Sequence, residues 1–216
     1  MSDAGRVIAG TARGTRLAAP GEGTRPFGDR VKQTLFAILE PDLPDARVLD
    51  LFAGSGAGGI EALSRGAACA VFVERDAIAG RVIGENLTKT HFEARGRVAR
   101  ADVLTYLADR AAADGPFDLV LIDPPYAEFK LLESALARLA APPAPLLTAA
   151  VWVVAKHFWR TPPPSAVGLL ASVRTRRFGE TGLTFYRRTG AEPPVAEESV
   201  AVAPDRPAAE TEEAAR

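Results

Sequence analysis

Asp123-Pro124-Pro125-Tyr126 closes an apolar run, Leu119-Val120-Leu121-Ile122, and gathers residue types suited to holding an amine. Two consecutive prolines fix the backbone and remove two N–H donors, which leaves a loop rich in acceptors. An exocyclic amino group on a nucleic-acid base carries two hydrogens and a lone pair delocalised into its ring, so it is a weak nucleophile. If the Asp123 carboxylate accepts one hydrogen and the Pro124 carbonyl the other, that lone pair is aimed at an electrophile without a metal or a covalent intermediate. Tyr126 adds a ring on which a base drawn out of its stack could lie. An isolated match of four residues is also an ordinary Pro-Pro turn with a packing tyrosine, so the surroundings must discriminate.

The surroundings supply a ligand site. Val48-Leu49-Asp50-Leu51-Phe52-Ala53-Gly54-Ser55-Gly56 is an apolar strand running into glycines and then into a helix, where a ligand can approach bare backbone. Nicotinamide, flavin and sulfonium cofactors all use such a turn, and the acids tell them apart. A carboxylate at Asp50 disfavours a pyrophosphate and favours the ammonium and sulfonium of S-adenosylmethionine. Glu74, at the end of the second strand, can accept from both ribose hydroxyls, and Asp102, at the end of the third, from the adenine amino group. Taken singly, Glu74 and Asp102 are equally readable as helix N-caps. Three acids at successive strand ends match the edge where open α/β sheets bind ligands. The candidate cofactor contacts are Asp50, Phe52, Gly54, Gly56, Glu74 and Asp102; the candidate catalytic residues are Asp123, Pro124, Pro125 and Tyr126.

The elements that must position these residues follow from hydrophobic periodicity. Strands are expected at Val48–Phe52, Ala70–Glu74, Arg97–Ala101, Phe117–Ile122 and Val151–Ala155, with helices around 58–65, 76–89, 103–112 and 128–140. Such alternation predicts a parallel sheet covered by helices on both faces. Leu169–Arg177 and Leu183–Arg188 are joined by a link too short for a crossover helix, so they should form an antiparallel hairpin at one edge and complete a seven-stranded sheet. Ahead of the sheet, Asp29 is the expected N-cap of a helix carrying Val31, Leu35, Ile38 and Leu39 at helical spacing.

The chain divides into an arm over residues 1–28, a catalytic domain over 29–189 and a tail over 190–216. In the arm, Arg6–Gly10 and Gly14–Leu17 read as two short strands around a turn, and residues 5–32 hold Arg6, Arg13, Arg16, Arg25, Arg30 and Lys32 against two acids. Arg6, Arg13, Arg16 and Arg25, with Lys156 beyond the fifth strand, are candidate RNA contacts. The tail, rich in Ala, Glu, Pro and Val, lacks periodicity and is expected to be disordered. It carries seven Asp/Glu against two Arg, so a formal net charge of −1 for the 216 residues conceals 24 basic and 20 acidic residues in 1–190. That mild basicity suits a partner with phosphates without demanding one. No apolar run approaches the roughly 18 residues of a membrane span, and no secretory signal opens the chain, so a cytoplasmic protein is expected. Cys69 has no disulfide partner, and His91 and His157 lack ligand spacing, so no metal is expected. Cys69 is expected to be buried packing and His91 a surface helix residue.

Across most of residues 5–188 the sequence resembles the RsmD-type family of bacterial methyltransferases that act on a guanine N2 of 16S ribosomal RNA. The resemblance lies in Arg6-Val7-Ile8-Ala9-Gly10, Thr24-Arg25-Pro26 through Phe36, Asp50-Leu51-Phe52-Ala53-Gly54-Ser55-Gly56 through Glu61-Ala62-Leu63-Ser64-Arg65-Gly66-Ala67, Phe72-Val73-Glu74 and Asp123-Pro124-Pro125-Tyr126. It implies a class I S-adenosylmethionine-dependent methyltransferase fold (Rossmann-like), cofactor contacts at Asp50, Gly54, Gly56, Glu74 and Asp102, and catalysis by the Asp-Pro-Pro-Tyr loop. The implied partner is 16S rRNA in the small ribosomal subunit or its assembly intermediate, met by a monomer. Two departures stand out. Phe27-Gly28 replaces a pair of threonines usual in relatives. Lys156-His157-Phe158-Trp159-Arg160 stands where relatives often place an acid, either as an RNA handhold or as a cap on the sheet edge. An adenine-N6 DNA methyltransferase, a glutamine-amide methyltransferase and a non-catalytic RNA-binding assembly factor are the alternatives.

Overall fold

The computed structural model describes residues 3–21, 28–109, 111–141 and 146–189. Arg25 and the tail lie outside the described residues. An eight-stranded sheet has the order β5-β4-β3-β6-β7-β10-β9-β8. Its strands are β3 (Arg47–Leu51), β4 (Cys69–Glu74), β5 (Gly96–Arg100), β6 (Phe117–Ile122), β7 (Leu147–Phe158), β8 (Ala166–Val167), β9 (Leu170–Phe178) and β10 (Thr181–Arg188). The first five are mutually parallel, β10 runs antiparallel to β7, and β9 folds back on β10. The expected hairpin is therefore present at one edge. The eighth strand is the two-residue β8, paired with β9 and preceded by Pro162-Pro163-Pro164, a segment whose prolines cannot donate to a ladder and gave no strand signal.

Helices cover both faces, as the near-continuous apolar strands require. Along β6, Leu119 and Leu121 pack with α1 (Asp29–Leu39), α2 (Ala57–Ser64) and α3 (Ala77–Thr90), whereas Val120 and Ile122 pack with α4 (Val103–Asp109), α5 (Ala111–Asp114) and α6 (Phe129–Ala140). This is the two-residue alternation of a strand buried on both sides, each fully buried Leu or Phe contributing about 1.5–3 kcal/mol. The described turns of α4 and α5, on either side of residue 110, occupy the segment expected to be helical over 103–112. Asp29 is not the cap of α1: Gly28 is, without a side-chain cap bond, and Asp29 lies in the first turn, where it suits the helix dipole and pairs with Arg6 at 3.3 Å.

The N-terminal strands are displaced from their expected positions, to β1 (Asp3–Arg6) and β2 (Arg16–Ala18), with residues 7–15 forming the turn. This hairpin is docked rather than free. The buried Glu61 carboxylate of α2 accepts from Ile8 and Ala9 N–H at 2.8 and 3.0 Å, and Ser64 Oγ accepts from Ala12 N–H at 3.0 Å. Asn86 of α3 accepts from Ala18 N–H and donates to the carbonyls of Ala18 and Ser55. Lys32, counted with the basic arm from sequence, is fully buried and donates to the Arg6 carbonyl; burial lowers its pKa. Among the described residues, no helix is long and apolar enough to cross a membrane.

Candidate active site

Five adjacent strands each bring a charged residue to the carboxyl rim of the sheet. Ala101 N–H bonds the Glu74 carbonyl, which sets Asp102 beside Glu74; Asp123 N–H bonds the Leu51 carbonyl, which sets Asp123 beside the end of β3. Ile122 pairs with Ala155, so Lys156 follows directly alongside Asp123. In spatial order the rim reads Asp102, Glu74, Asp50, Asp123, Lys156. All five line one cleft of about 820 Å³, together with Phe52, Gly54, Gly58, Ile78, Pro124, Pro125 and Tyr126. That volume lies within the range of small-molecule sites.

The backbone between β3 and α2 is bent to leave this cleft open. Phe52, Gly54 and Gly56 have φ of 59°, 54° and 77°. For Phe52 this is a costly conformation, of the kind that concentrates at functional sites. Gly54 N–H is held at 2.9 Å by Glu74 Oε2, while Glu74 Oε1 accepts from Asp76 N–H at 2.9 Å. Glu74 thus braces the glycine loop and is not the cap of α3, a role taken by Asp76. Asp102 does cap its helix, its Oδ1 accepting from Leu104 and Thr105 N–H at 3.0 and 3.1 Å, even as it lines the cleft. Gly56 does not line the cleft. Its left-handed backbone turns the chain into α2, and a Cβ there would sit 3.2 Å from Ile83 and 3.3 Å from Phe72. Gly58 does line it, unforeseen from sequence, and a Cβ there would press to 2.8 Å from Leu121 and 3.2 Å from Asp50 Oδ2. Ile78 was also unforeseen; it is 57% exposed beside the cleft, where an apolar side chain has no core to fill.

Asp50 is 2% exposed and accepts from Gly59 N–H at 2.8 Å. Burial pushes its pKa up to about 7, with the Gly59 hydrogen bond opposing and the charges of Asp123 and Glu74 adding to the rise. A carboxyl in that condition is poised to ionise against an incoming cation. Asp123 is also raised by burial, against the pull of Lys156, whose Nζ lies 2.8 Å from both carboxylate oxygens. Lys156 is 7% exposed and stands 5.5 Å from the centre of the Tyr126 ring. It therefore serves the Asp-Pro-Pro-Tyr loop and is not presented outward to phosphate, as its place after the expected strand had suggested. Tyr126 Oη is tied to Thr181 Oγ1 at 2.8 Å.

Other expected residues fall elsewhere. Arg6, Arg13 and Arg16 are exposed on the docked hairpin and do not line the cleft, whose wall on that side is Ala4, Ala19, Pro20 and Gly21. His157 is buried on the opposite side of β7 from Lys156, bonded to Thr184 Oγ1 at 3.0 Å, and burial lowers its pKa. Cys69 is half-buried at the start of β4, and His91 is the exposed left-handed cap of α3.

The family described as Conserved hypothetical protein 95 matches residues 5–187. A Bacillus subtilis (strain 168) protein named "Putative rRNA methyltransferase YlbH" is 38% identical over 186 residues, covering 86% of this chain and 100% of that protein. Ribosomal RNA small subunit methyltransferase D of Escherichia coli (strain K12) is 42% identical over 122 residues, 56% of this chain and 60% of that protein. The solved structure "Putative methyltransferase yhhF from Escherichia coli" superposes with a TM-score of 0.75 at 33% identity, covering 85% of this chain and 97% of that one. An RNA methyltransferase from Salinibacter ruber, solved in complex with S-adenosyl-L-homocysteine, shares the fold at 15% identity, with a TM-score of 0.57 over 81% of this chain and 99% of that one.

Proposed function

The chain belongs to the Conserved hypothetical protein 95 family, the RsmD family, and from that premise we propose that it transfers a methyl group from S-adenosylmethionine to the exocyclic N2 of a guanine in 16S ribosomal RNA, presented by the small ribosomal subunit or its assembly intermediate. The observation that carries the reading is the rim itself: a cation-seeking Asp50, a bare glycine loop and an acceptor-rich Asp123-Pro124 turn share one cleft. The names of the relatives support an rRNA substrate.

The residues present fit the cofactor. Asp50 would meet its positive charge, Glu74 has acceptor capacity left after its two backbone bonds for ribose hydroxyls, and Phe52 and Ile78 offer apolar surface to a purine. Asp102 would accept from the adenine amino group. Bound there, S-adenosylmethionine supplies an electrophilic methyl group on sulfur. Asp123 and the Pro124 carbonyl take the two amino hydrogens of the base, so that the nitrogen lone pair is held toward the cleft. Asp123 would take the proton that the nitrogen sheds as it gains the methyl group and the bond from that methyl group to sulfur breaks, and Tyr126 would offer its ring face to the extruded base.

Purified protein, labelled cofactor and ribosomal particles from cells lacking the enzyme test this, with the modified nucleoside identified by mass spectrometry. Label in N2-methylguanosine of 16S RNA is expected. Label in adenosine or in protein would overturn the guanine reading. Asp123→Ala should reduce turnover at least about a hundredfold, the loss expected for a general acid-base or positioning group, with cofactor binding retained; undiminished turnover would rule out the proposed role.

A further inference from the structure

A chain of aromatic rings leads away from the catalytic loop. The Tyr126 and Phe158 rings lie 6.4 Å apart, centre to centre, and Phe158 and Trp159 6.5 Å apart, with tilts of 52° and 55°. At its outer end two guanidinium groups flank Trp159, Arg177 at 3.4 Å and Arg160 at 5.0 Å from the ring centre. Both arginines are exposed, and Phe158 and Trp159 are half-buried. The backbone that carries them is fixed: Trp159 N–H bonds the Glu180 carbonyl at 3.0 Å, Thr161 N–H bonds the Phe158 carbonyl at 3.0 Å, and Arg177 Nε donates to the Gly179 carbonyl at 3.0 Å. With its Nε so engaged and its guanidinium carbon over the indole, Arg177 keeps its other N–H groups as donors for an anion.

We propose that this rim, Phe158 to Arg160 together with Arg177, docks the single-stranded RNA that flanks the target nucleotide. The proposal rests on the reading of the substrate as RNA and specifies where that RNA leaves the cleft. Rings accept bases of any sequence through their faces, and guanidinium groups hold the connecting phosphates; single-stranded nucleic acid is the partner that needs both in one row. An acidic protein would account for the arginines but not for a row of rings that begins at Tyr126. The local charge agrees: the turn between β9 and β10, whose Glu180 carbonyl holds Trp159 N–H, contributes the single acid Glu180.

Fluorescence anisotropy with a short, unstructured, labelled RNA, titrated at several salt concentrations, tests the surface. Arg160→Ala/Arg177→Ala should weaken binding by about tenfold and lower the salt slope by about 1.4, the value for two phosphate contacts on a single strand. Trp159→Ala should reproduce part of the loss, because the guanidinium groups lose their support. Cofactor affinity by calorimetry and the melting temperature should be those of the parent protein. Arg160→Ala alone, at an exposed position outside every strand, remains informative should the double variant unfold; a weakening of severalfold is expected from it. Unchanged RNA affinity and slope in these variants, with the parent protein binding and methylating RNA, would overturn the surface and leave the function standing. Unchanged RNA affinity combined with reduced turnover on ribosomal particles would mean that a protein docks here, which also overturns the proposal. A parent protein that neither binds this RNA nor methylates RNA in ribosomal particles removes both this surface and the function it rests on.

Discussion

A buried ammonium that reaches both oxygens of a carboxylate alters what the carboxylate can do. Each oxygen of Asp123 has two lone pairs, and Lys156 occupies one on each, so acceptor capacity is left for an amino hydrogen. The lysine also offsets part of the burial that raises the Asp123 pKa. An acceptor and proton-taking role needs the ionised form, so activity should fall as pH drops through that raised pKa. In Lys156→Met only the burial remains, and the acidic limb of the kcat profile should move to higher pH, while Lys156→Arg should keep much of the parent profile. Coincident limbs for parent and Lys156→Met would show that the lysine is a packing residue alone. The sequence suggested a different part for Lys156 because its strand was expected to end at Ala155. The observed strand continues to Phe158, and the alternation of side chains along it sends Lys156 into the cleft and His157 to the other side.

At the scale of elements, the arm and the glycine loop are joined through Asn86. Its side chain is fully buried and satisfies Ala18 N–H, the Ala18 carbonyl and the Ser55 carbonyl, which links β2 to the loop ahead of α2. Asn86→Leu would leave three backbone groups without these bonds at a cost of about 1–3 kcal/mol for each one that stays buried. Urea denaturation should show a loss of roughly 3 kcal/mol, and cofactor affinity should fall because the Ser55 anchor is gone. A loss under about 0.5 kcal/mol, the level of an inconsequential surface change, would refute the linkage. The strands and helices themselves were largely legible, since a sheet buried on both faces writes its apolar runs into the sequence. The fastenings were not. Glu61, Ser64 and Asn86 bond to residues more than fifty positions away, and no local spacing reports such a partner. The edge strand β8 escaped for a related reason: two residues are too few for a periodicity.

At the scale of the whole molecule, gathering acids on one rim gives a site for a cation and costs stability when the site is empty. The acids and glycines were readable because each sits at a strand end or in a turn; the energetic consequence needed the burial. Asp50 has a folded-state pKa of about 7 against 3.8 for an ordinary aspartate. Below about pH 4 it is protonated in both folded and unfolded chains and contributes no pH dependence. Between pH 4 and 7 the unfolded chain ionises while the folded one keeps its proton, so stability falls as pH rises; above 7 both are ionised and the loss is complete, on the order of 4 kcal/mol. Asp50→Asn keeps an acceptor for Gly59 N–H and removes the charge. Its melting temperature, relative to the parent protein without cofactor, should therefore climb from pH 4 to pH 8. Cofactor binding should show the opposite face of the same linkage: in the parent, the dissociation constant of S-adenosylmethionine should rise by up to about tenfold for each pH unit below 7, as the cation must expel the proton from Asp50. The variant should bind weakly with little of that dependence. Calorimetry at pH 6, 7 and 8, with matched melting curves, measures both, and a parent dissociation constant that does not change with pH would show that the cofactor's positive charge is not met at Asp50.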